Sequence, residues 1–197
     1  MALRFLPSAN FTMTLASELN CGPCHLRPWR AVDRPALLRY ANNRHIWLNL
    51  RDRFPHPYGP AEADAWLGYA AAVPPPEGVW AIDLQGESIG ALAIERGQDV
   101  ERASAEIGYW LAEPFWGRGL MTAAVRCASE HALAAPDLYR LYAPVFAWNA
   151  VSMRVLEKAG YEREGILRRS AVKAGQLIDC VLYARTRDPG LPYVRAS

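Results

Sequence analysis

The sequence predicts an α+β fold in which one sheet lies between helices. Three observations predict it. Apolar residues recur at helical spacing in four segments, the period drops to two in the segments between them, and the two kinds of segment are mixed along the chain rather than sorted into halves. A chain of 197 residues fits one domain and can bury a core without disulfides or a structural metal. It contains no internal repeat, low-complexity tract or linker, so residues 1–197 are expected to form a single domain with its packed core at about 24–187.

The elements follow in order. "LRPW" after Cys24 alternates apolar and polar residues and carries Pro28, which reads as a short edge strand. The first helix starts with Asp33 as its N-cap and runs into "RPALLRYANN", with Leu37, Leu38 and Tyr40 on its apolar side. "HIWLNLRD" either continues that helix or forms a separate turn. "RFPHPYGP" packs prolines and a glycine around His56 and Tyr58 and reads as a stiff surface loop. "AEADAWLGYAAAV" is rich in helix formers and predicts a second helix, closed by Pro74, Pro75 and Pro76.

From Val79 the period is two. "VWAIDL", a Gln85-Gly86 turn and "SIGALAIE" predict an antiparallel hairpin, and "ASAEIGYWL" adds a third strand to the meander. In the next segment Leu120, Ala123, Ala124, Cys127, Ala128 and His131 share one face of a helix, which assigns Cys127 to the core. "LYRLYAPVFA" predicts a strand, "NAVSMRVLEKAG" a helix with Asn149 at the cap and Gly160 at C′, and "CVLYAR" the last strand, with one further strand beside it. The tail after Asp188 is expected to be loose.

Composition narrows the function. Hydrophobic residues make up 51% and charged residues 21%, and the apolar runs are too short to span a bilayer, so no membrane partner is expected. The segment "MALRFLPSANFTMTLASELN" has one positive charge and no apolar h-region, which argues against a secretory signal and for a cytoplasmic location. The net charge is +2 with no block of like charge, so the electrostatic footprint of a nucleic-acid binder is missing.

In that compartment Cys21, Cys24, Cys127 and Cys180 are expected to be reduced thiols. Cys21 and Cys24 have the spacing of a thiol-disulfide site, but a reactive pair normally opens a helix whose N-terminus lowers the thiol pKa. Here "HLRPWR" follows instead. No second ligand pair accompanies Cys21, Cys24 and His25, so no metal site is expected.

The informative stretch is "WLAEPFWGRGLMT", residues 110–122. A strand end and a proline turn lead to Gly117 and Gly119 around Arg118, and an amphipathic helix follows. Glycines at such a bend remove the Cβ atoms that would hold a ligand away, and the first N–H groups of the helix point outward unpaired. That geometry suits a phosphate. The helix dipole supplies only about 0.3–1 kcal/mol for an exposed anion, so several N–H hydrogen bonds must carry the affinity. Thr122 stands where a dinucleotide-binding fingerprint needs glycine, and the Gly-Lys-Ser/Thr of a P-loop is absent.

Taken in order, "LRPW", "NLRDRFPHPY…EADAWL", "AEIGYWL", "FWGRGLMTAAV" and "NAVSMRVLEKAGYEREG" resemble the GNAT N-acetyltransferases, in the branch that includes the RimJ/RimL-like ribosomal-protein N-terminal acetyltransferases. The resemblance covers Leu26 to Arg185. It implies an α+β fold with a mixed, mostly antiparallel sheet of about seven strands, splayed at its centre, helices on both faces and acetyl-CoA in the opening. It further implies that the pyrophosphate is held by main-chain N–H groups in the segment Trp116, Gly117, Arg118, Gly119, Leu120, Met121 and Thr122. Trp116 and Met121 depart from the general superfamily pattern, which main-chain binding tolerates.

By the same resemblance, the strand through Trp110 and Leu111 lies along the pantetheine arm and offers an N–H near Leu111 to the thioester oxygen. Asn149 is expected on the pantetheine amides and Ser152 at the sulfur. The tyrosine that many members place on this helix is replaced by Leu156. A typical acceptor amine is an ammonium at neutral pH, so a carboxylate or an ordered water must take a proton before attack. Glu106 is the candidate base; Glu101, Asp52 and His56 are rivals. The acceptor pocket is expected to draw on Asn49, Phe54, His56 and Tyr58 and on the final hairpin near Arg168 to Asp179.

The function this implies is direct acetyl transfer from acetyl-CoA to a primary amine, either a protein N-terminus or a small molecule. A non-catalytic acyl-CoA-binding protein on the same fold is the alternative. A homodimer is one of the assembly states the sequence leaves open.

Overall fold

The computed structural model describes residues 17–73, 79–188 and 190. The readings made above for the start of the chain, for Pro74, Pro75 and Pro76, and for the tail end lie outside the described residues. The strands are β1 (Leu19–Asn20), β2 (His25–Pro28), β3 (Val79–Leu84), β4 (Glu87–Arg96), β5 (Ser104–Leu111), β6 (Arg140–Phe146), β7 (Glu162–Lys173) and β8 (Gln176–Thr186). The helices are α1 (Arg34–Tyr40), α2 (Arg44–Trp47), α3 (Pro60–Ala72), α4 (Leu120–Leu133) and α5 (Ala150–Lys158).

All the strands join one sheet in the order β1-β2-β3-β4-β5-β6-β8-β7. Only β5 and β6 run parallel; the other neighbours are antiparallel. Among the described residues the sheet therefore has eight strands, one more than the expected seven or so. The addition is β1, whose two residues pair with His25 and Leu26 across the cysteine turn. Two residues are too short to display a period.

Helices cover both faces. Ile107 and Leu111 of β5 pack with Leu120, Ala124, Val125 and Ala128 of α4 and Leu156 of α5. On the opposite face Trp110 packs with Leu37 of α1, Ile46 of α2, Tyr58 of the loop before α3 and Ala63 of α3. Strand alternation thus sends neighbouring residues of β5 into different cores. Leu156 is wholly buried and fixes α5 to the sheet; its truncation to alanine would cost about 2–5 kcal/mol.

Two local readings are corrected. In α4 the buried residues include Met121, Val125, Ser129 and Ala132, while Cys127 and His131 are half-buried. The apolar face is turned about one residue from the predicted one, because alanines occur on both candidate stripes and the sheet selects between them. Asp33 stands at the N-cap position of α1, but its side chain caps no helical N–H there. Its carboxylate instead meets Arg27 Nη1 and Nη2, each at 2.8 Å, and accepts from the N–H of Arg30 at 2.8 Å. Arg27 Nε completes this buried network with Asp83 at 2.8 Å. A buried guanidinium attracts a carboxylate more strongly than one exposed N–H can.

The central splay is present in the register. β5 pairs with β6 only at Ser104, Ala105 and Glu106, opposite Arg140, Leu141 and Tyr142. Beyond Glu106 the far edge of β5 has no strand beside it among the described residues, although β4 continues on the near edge to Gly90 opposite Leu111. Alternate N–H and C=O groups between Ile107 and Leu111 therefore face a gap.

Candidate active site

The gap opens into a cleft of about 1190 Å³ that reaches both faces of the sheet. Its wall includes Glu106, Trp110, Leu111, Trp116, Gly117, Gly119, Leu120, Met121, Thr122, Asn149 and Ser152. Sequence positions more than forty residues apart are thus brought together by the splay, since β5 leads into α4 on one side and β6 into α5 on the other.

The bend before α4 is built as the sequence predicts. Gly117 and Gly119 have φ of 74° and 78°, in the left-handed region, and a Cβ on either would meet nothing within 4 Å. The two glycines are thus needed for the backbone path rather than for internal packing, and the bend faces open space. Gly119 is the N-cap of α4 and supplies no side chain to it. The N–H groups of Leu120, Met121 and Thr122 precede the first intrahelical bond, which runs from Ala123 N–H to the Gly119 carbonyl at 3.0 Å. These are fixed donors for an anion. Arg118 is turned aside, with its guanidinium 5.5 Å from the centre of the Phe115 ring. Trp116 lies on the cleft wall and donates its indole N–H to the Leu111 carbonyl at 2.7 Å, which ties the bend back to the end of β5.

Across the gap, Asn149 caps α5: its Oδ1 accepts the Ser152 N–H at 3.1 Å. Ser152 Oγ lies 2.9 Å from Tyr109 Oη. Tyr109 was not singled out by the sequence reading. Alternation on β5 places it opposite Glu106 and Trp110, but only the fold reveals its partner.

Glu106 lies on the same face of β5 as Trp110, directly across from Glu95 of β4. Like charges in this position repel, and each is answered by an arginine from the segment after α2. Arg51 Nη2 lies 2.6 and 2.7 Å from the two Glu106 oxygens, and Arg53 binds Glu95. Asp52, between those arginines, accepts from Lys173 at 2.7 Å; Lys173 is buried over the Trp47 ring and fastens the β7–β8 hairpin to this segment. Asp52 lines the cleft, and Glu101 does not.

Of the expected acceptor residues, Asn49, Phe54 and Tyr58 line the cleft. Phe54 packs against Trp110 and Tyr58 at centroid distances of 5.8 and 5.3 Å. Asn49 accepts from the Trp148 indole at 3.2 Å, so two loops meet at this rim. Burial pushes the Tyr58 phenol up to about 12, with Glu62 adding to the effect, so it is a neutral donor. His56 does not line the cleft; it stacks on Trp47 with ring centroids 5.5 Å apart. Leu167, Ser170, Ala171 and Val172 bring the final hairpin to the cleft wall.

Cys21 and Cys24 close the turn between β1 and β2, where the Cys21 N–H donates to the Cys24 carbonyl at 3.0 Å and Gly22 takes φ of 83°. Both are free thiols and Cys24 precedes a strand rather than a helix; the Cys24 thiol beside it, together with burial, pushes the Cys21 thiol up, while the same contact lowers that of Cys24. No group of three or more metal-ligating side chains occurs among the described residues. No helix among them is long and apolar enough to cross a membrane.

Comparison with known proteins agrees with this construction. The acetyltransferase (GNAT) domain family matches residues 24–162. The probable N-acetyltransferase YjcK of Bacillus subtilis is 46% identical over 67 residues, 34% of this chain and 37% of that protein. The ribosomal-protein-serine acetyltransferase of Escherichia coli is 30% identical over 104 residues, 53% of this chain and 58% of that protein. The chain thus spans between a third and three-fifths of these relatives' lengths. The structure of Mycobacterium smegmatis RimJ in complex with CoA-disulfide superposes with a TM-score of 0.71 at 28% identity, covering 86% of this chain and 87% of that one. With the family match running from β2 to the start of β7 over a sheet that parts beside a glycine-flanked helix start, the chain belongs to the GNAT acetyltransferase family.

Proposed function

We propose that this chain transfers an acetyl group from acetyl-CoA to a primary amine by direct attack, with no covalent enzyme intermediate. One observation carries the reading: the unpaired edge of β5 runs straight to the exposed bend at Gly117 and Gly119. A coenzyme with an extended amide-bearing arm and a diphosphate needs an edge of N–H and C=O groups and then a cluster of N–H donors. The residues fit that need.

In this reading Leu120, Met121 and Thr122 hold the diphosphate, with the main chain of Trp116, Gly117, Arg118 and Gly119 completing the bend. Trp110 and Leu111 align the arm, and Leu111 supplies the donor to the thioester oxygen, where charge grows only as the amine attacks. Asn149 holds the arm's amides from the α5 side. Glu106 takes the proton from the incoming ammonium, and the salt bridge to Arg51 must open or rearrange to allow it. Asn49, Phe54 and Tyr58 form the acceptor wall.

The acceptor we favour is a protein N-terminus. The relative named as a ribosomal-protein-serine acetyltransferase supports that class, and it implies work in the cytoplasm. One observation favours the alternative of a non-catalytic acyl-CoA-binding protein: the candidate base is already neutralised by Arg51.

The test is a panel of small amines and N-terminal peptides incubated with acetyl-CoA, reading the released CoA thiol. Turnover of at least one acceptor supports the enzyme. A flat panel with intact CoA binding assigns the chain to the binding class, and no CoA binding at all rejects the reading.

A further inference from the structure

Two hydroxyls meet on the α4 and α5 side of the gap. Tyr109 Oη is 2.9 Å from Ser152 Oγ and 3.4 Å from the Ser152 carbonyl oxygen, and both residues line the cleft. The Tyr109 ring packs against the larger core, which fixes where its hydroxyl sits. Burial pushes this phenol well above its ordinary range, against the pull of the Ser152 bond. It therefore keeps its proton at any working pH.

Each hydroxyl has one proton to give. If Ser152 gave its proton to Tyr109, the phenol's only other acceptor among the described residues would be the carbonyl at 3.4 Å, a long and weak bond. If Tyr109 gives to Ser152 Oγ at 2.9 Å, the short contact is used well and the serine proton is left for another acceptor. Ser152 is three residues into α5, beside the cap formed by Asn149. Without the phenol, a serine on a helix can turn its proton back to the carbonyl one turn earlier.

We propose that Tyr109 is a positioning residue: it donates to Ser152 Oγ and so turns the serine proton into the cleft, toward the sulfur of the coenzyme. This rests on the acetyl-transfer reading of the same site. In the transfer, the amine lone pair forms the new C–N bond and the C–S bonding pair leaves with sulfur as a thiolate. Glu106 takes one proton from the ammonium before attack and passes it to solvent, and then takes the second from the nitrogen of the tetrahedral adduct, which also goes to solvent. Ser152 keeps its proton throughout and donates a hydrogen bond to the thiolate, which solvent later protonates. A hydrogen bond to a charged acceptor is worth more than one to a neutral acceptor, so a serine locked in this orientation favours the leaving state over the thioester.

The test uses the full chain and two readouts. The first is the pKa of the thiol in bound CoA, followed by the ultraviolet absorbance of its thiolate, which needs no turnover. In the wild type this thiol should titrate about one pH unit below free CoA; Tyr109→Phe should raise it most of the way back, and so should Ser152→Ala. The second is kinetics with any amine the wild type accepts. Tyr109→Phe should lower kcat about tenfold with KM for acetyl-CoA within about twofold, and should have no effect in a Ser152→Ala background. Ser152→Thr, which keeps the hydroxyl, should retain the dependence on Tyr109. An unshifted thiol in wild type and variant, or an equal effect of Tyr109→Phe with and without Ser152, overturns the proposal. A shifted thiol in a wild type that acetylates no amine would reject the transfer reading and leave the hydroxyl pair in place, so the two failures are distinct.

Discussion

Arg51 Nη2 contacts both carboxylate oxygens of Glu106, at 2.6 and 2.7 Å, so the candidate base meets its acceptor already paired with a cation. The Arg51 side chain is half exposed, and such pairs are worth only about 0.2–1 kcal/mol. An incoming ammonium can therefore displace it. Glu106→Gln should lower kcat by about 10²-fold or more while CoA affinity is kept. Arg51→Ala should lower KM for the amine by up to about fivefold, the equivalent of that pair's worth. Steady-state kinetics on the two variants checks both, and a Glu106→Gln enzyme at wild-type rate would remove Glu106 from the chemistry.

Gly119→Ala should weaken CoA binding. The position needs φ of 78°, which costs a residue with a Cβ about 1–2 kcal/mol, and the same Cβ would enter the space above the N–H groups of α4. A rise in the CoA dissociation constant of about tenfold, read by titration calorimetry, is the expected outcome. An unchanged constant would place the diphosphate elsewhere.

Gly90→Ala should disturb β5 from its β4 side. A Cβ at Gly90 would stand 2.3 Å from the Trp110 carbonyl oxygen and 3.1 Å from Leu111 Cα, both main-chain atoms. Since the strand must shift to admit it, a loss of about 1–3 kcal/mol is expected, or several degrees in Tm. Thermal melting reads this. Because Trp110 and Leu111 form the edge assigned to the coenzyme, CoA affinity should fall with stability.

The buried network of Arg27, Asp33 and Asp83 makes an acid-dependent contribution. Burial works to raise the Asp33 carboxyl, but the Arg27 guanidinium and the Arg30 N–H outweigh it and hold the group below its ordinary value. A carboxyl depressed on folding stabilises the native state above its unfolded pKa of about 3.9, and that stability is lost as pH falls through the lower folded value. The wild-type Tm should therefore drop as the solution is acidified below about pH 4. Arg27→Met leaves two buried carboxylates without their cation and should cost about 3–5 kcal/mol at neutral pH. Its deficit relative to wild type should shrink on acidification. A constant gap between the two curves would show that Arg27 contributes packing alone.

Strong local signals were legible in the sequence. The Gln85-Gly86 turn lies between β3 and β4, the glycines at 117 and 119 take the left-handed backbone their bend requires, and Asn149 caps α5. What the sequence did not reveal depends on contacts between distant segments. The choice of α4's buried stripe rests on the sheet beneath it, and Asp33 reads as a cap until Arg27 is seen beside it. The close approach of Gly90 to β5 is a property of two strands, and the bond from Tyr109 to Ser152 spans 43 positions. His56 was drawn toward the acceptor pocket by its position in a stiff loop, whereas stacking on Trp47 keeps it off the cleft wall.

Because β5 and β6 share only three paired positions, the molecule carries an unfinished seam through the middle of its sheet. Amide protons between Ile107 and Leu111 that face this seam should exchange with solvent far faster than those directed at β4 on the same strand. Filling the seam would turn that alternating pattern uniform, so the strand itself would report occupancy, residue by residue, before any product is made.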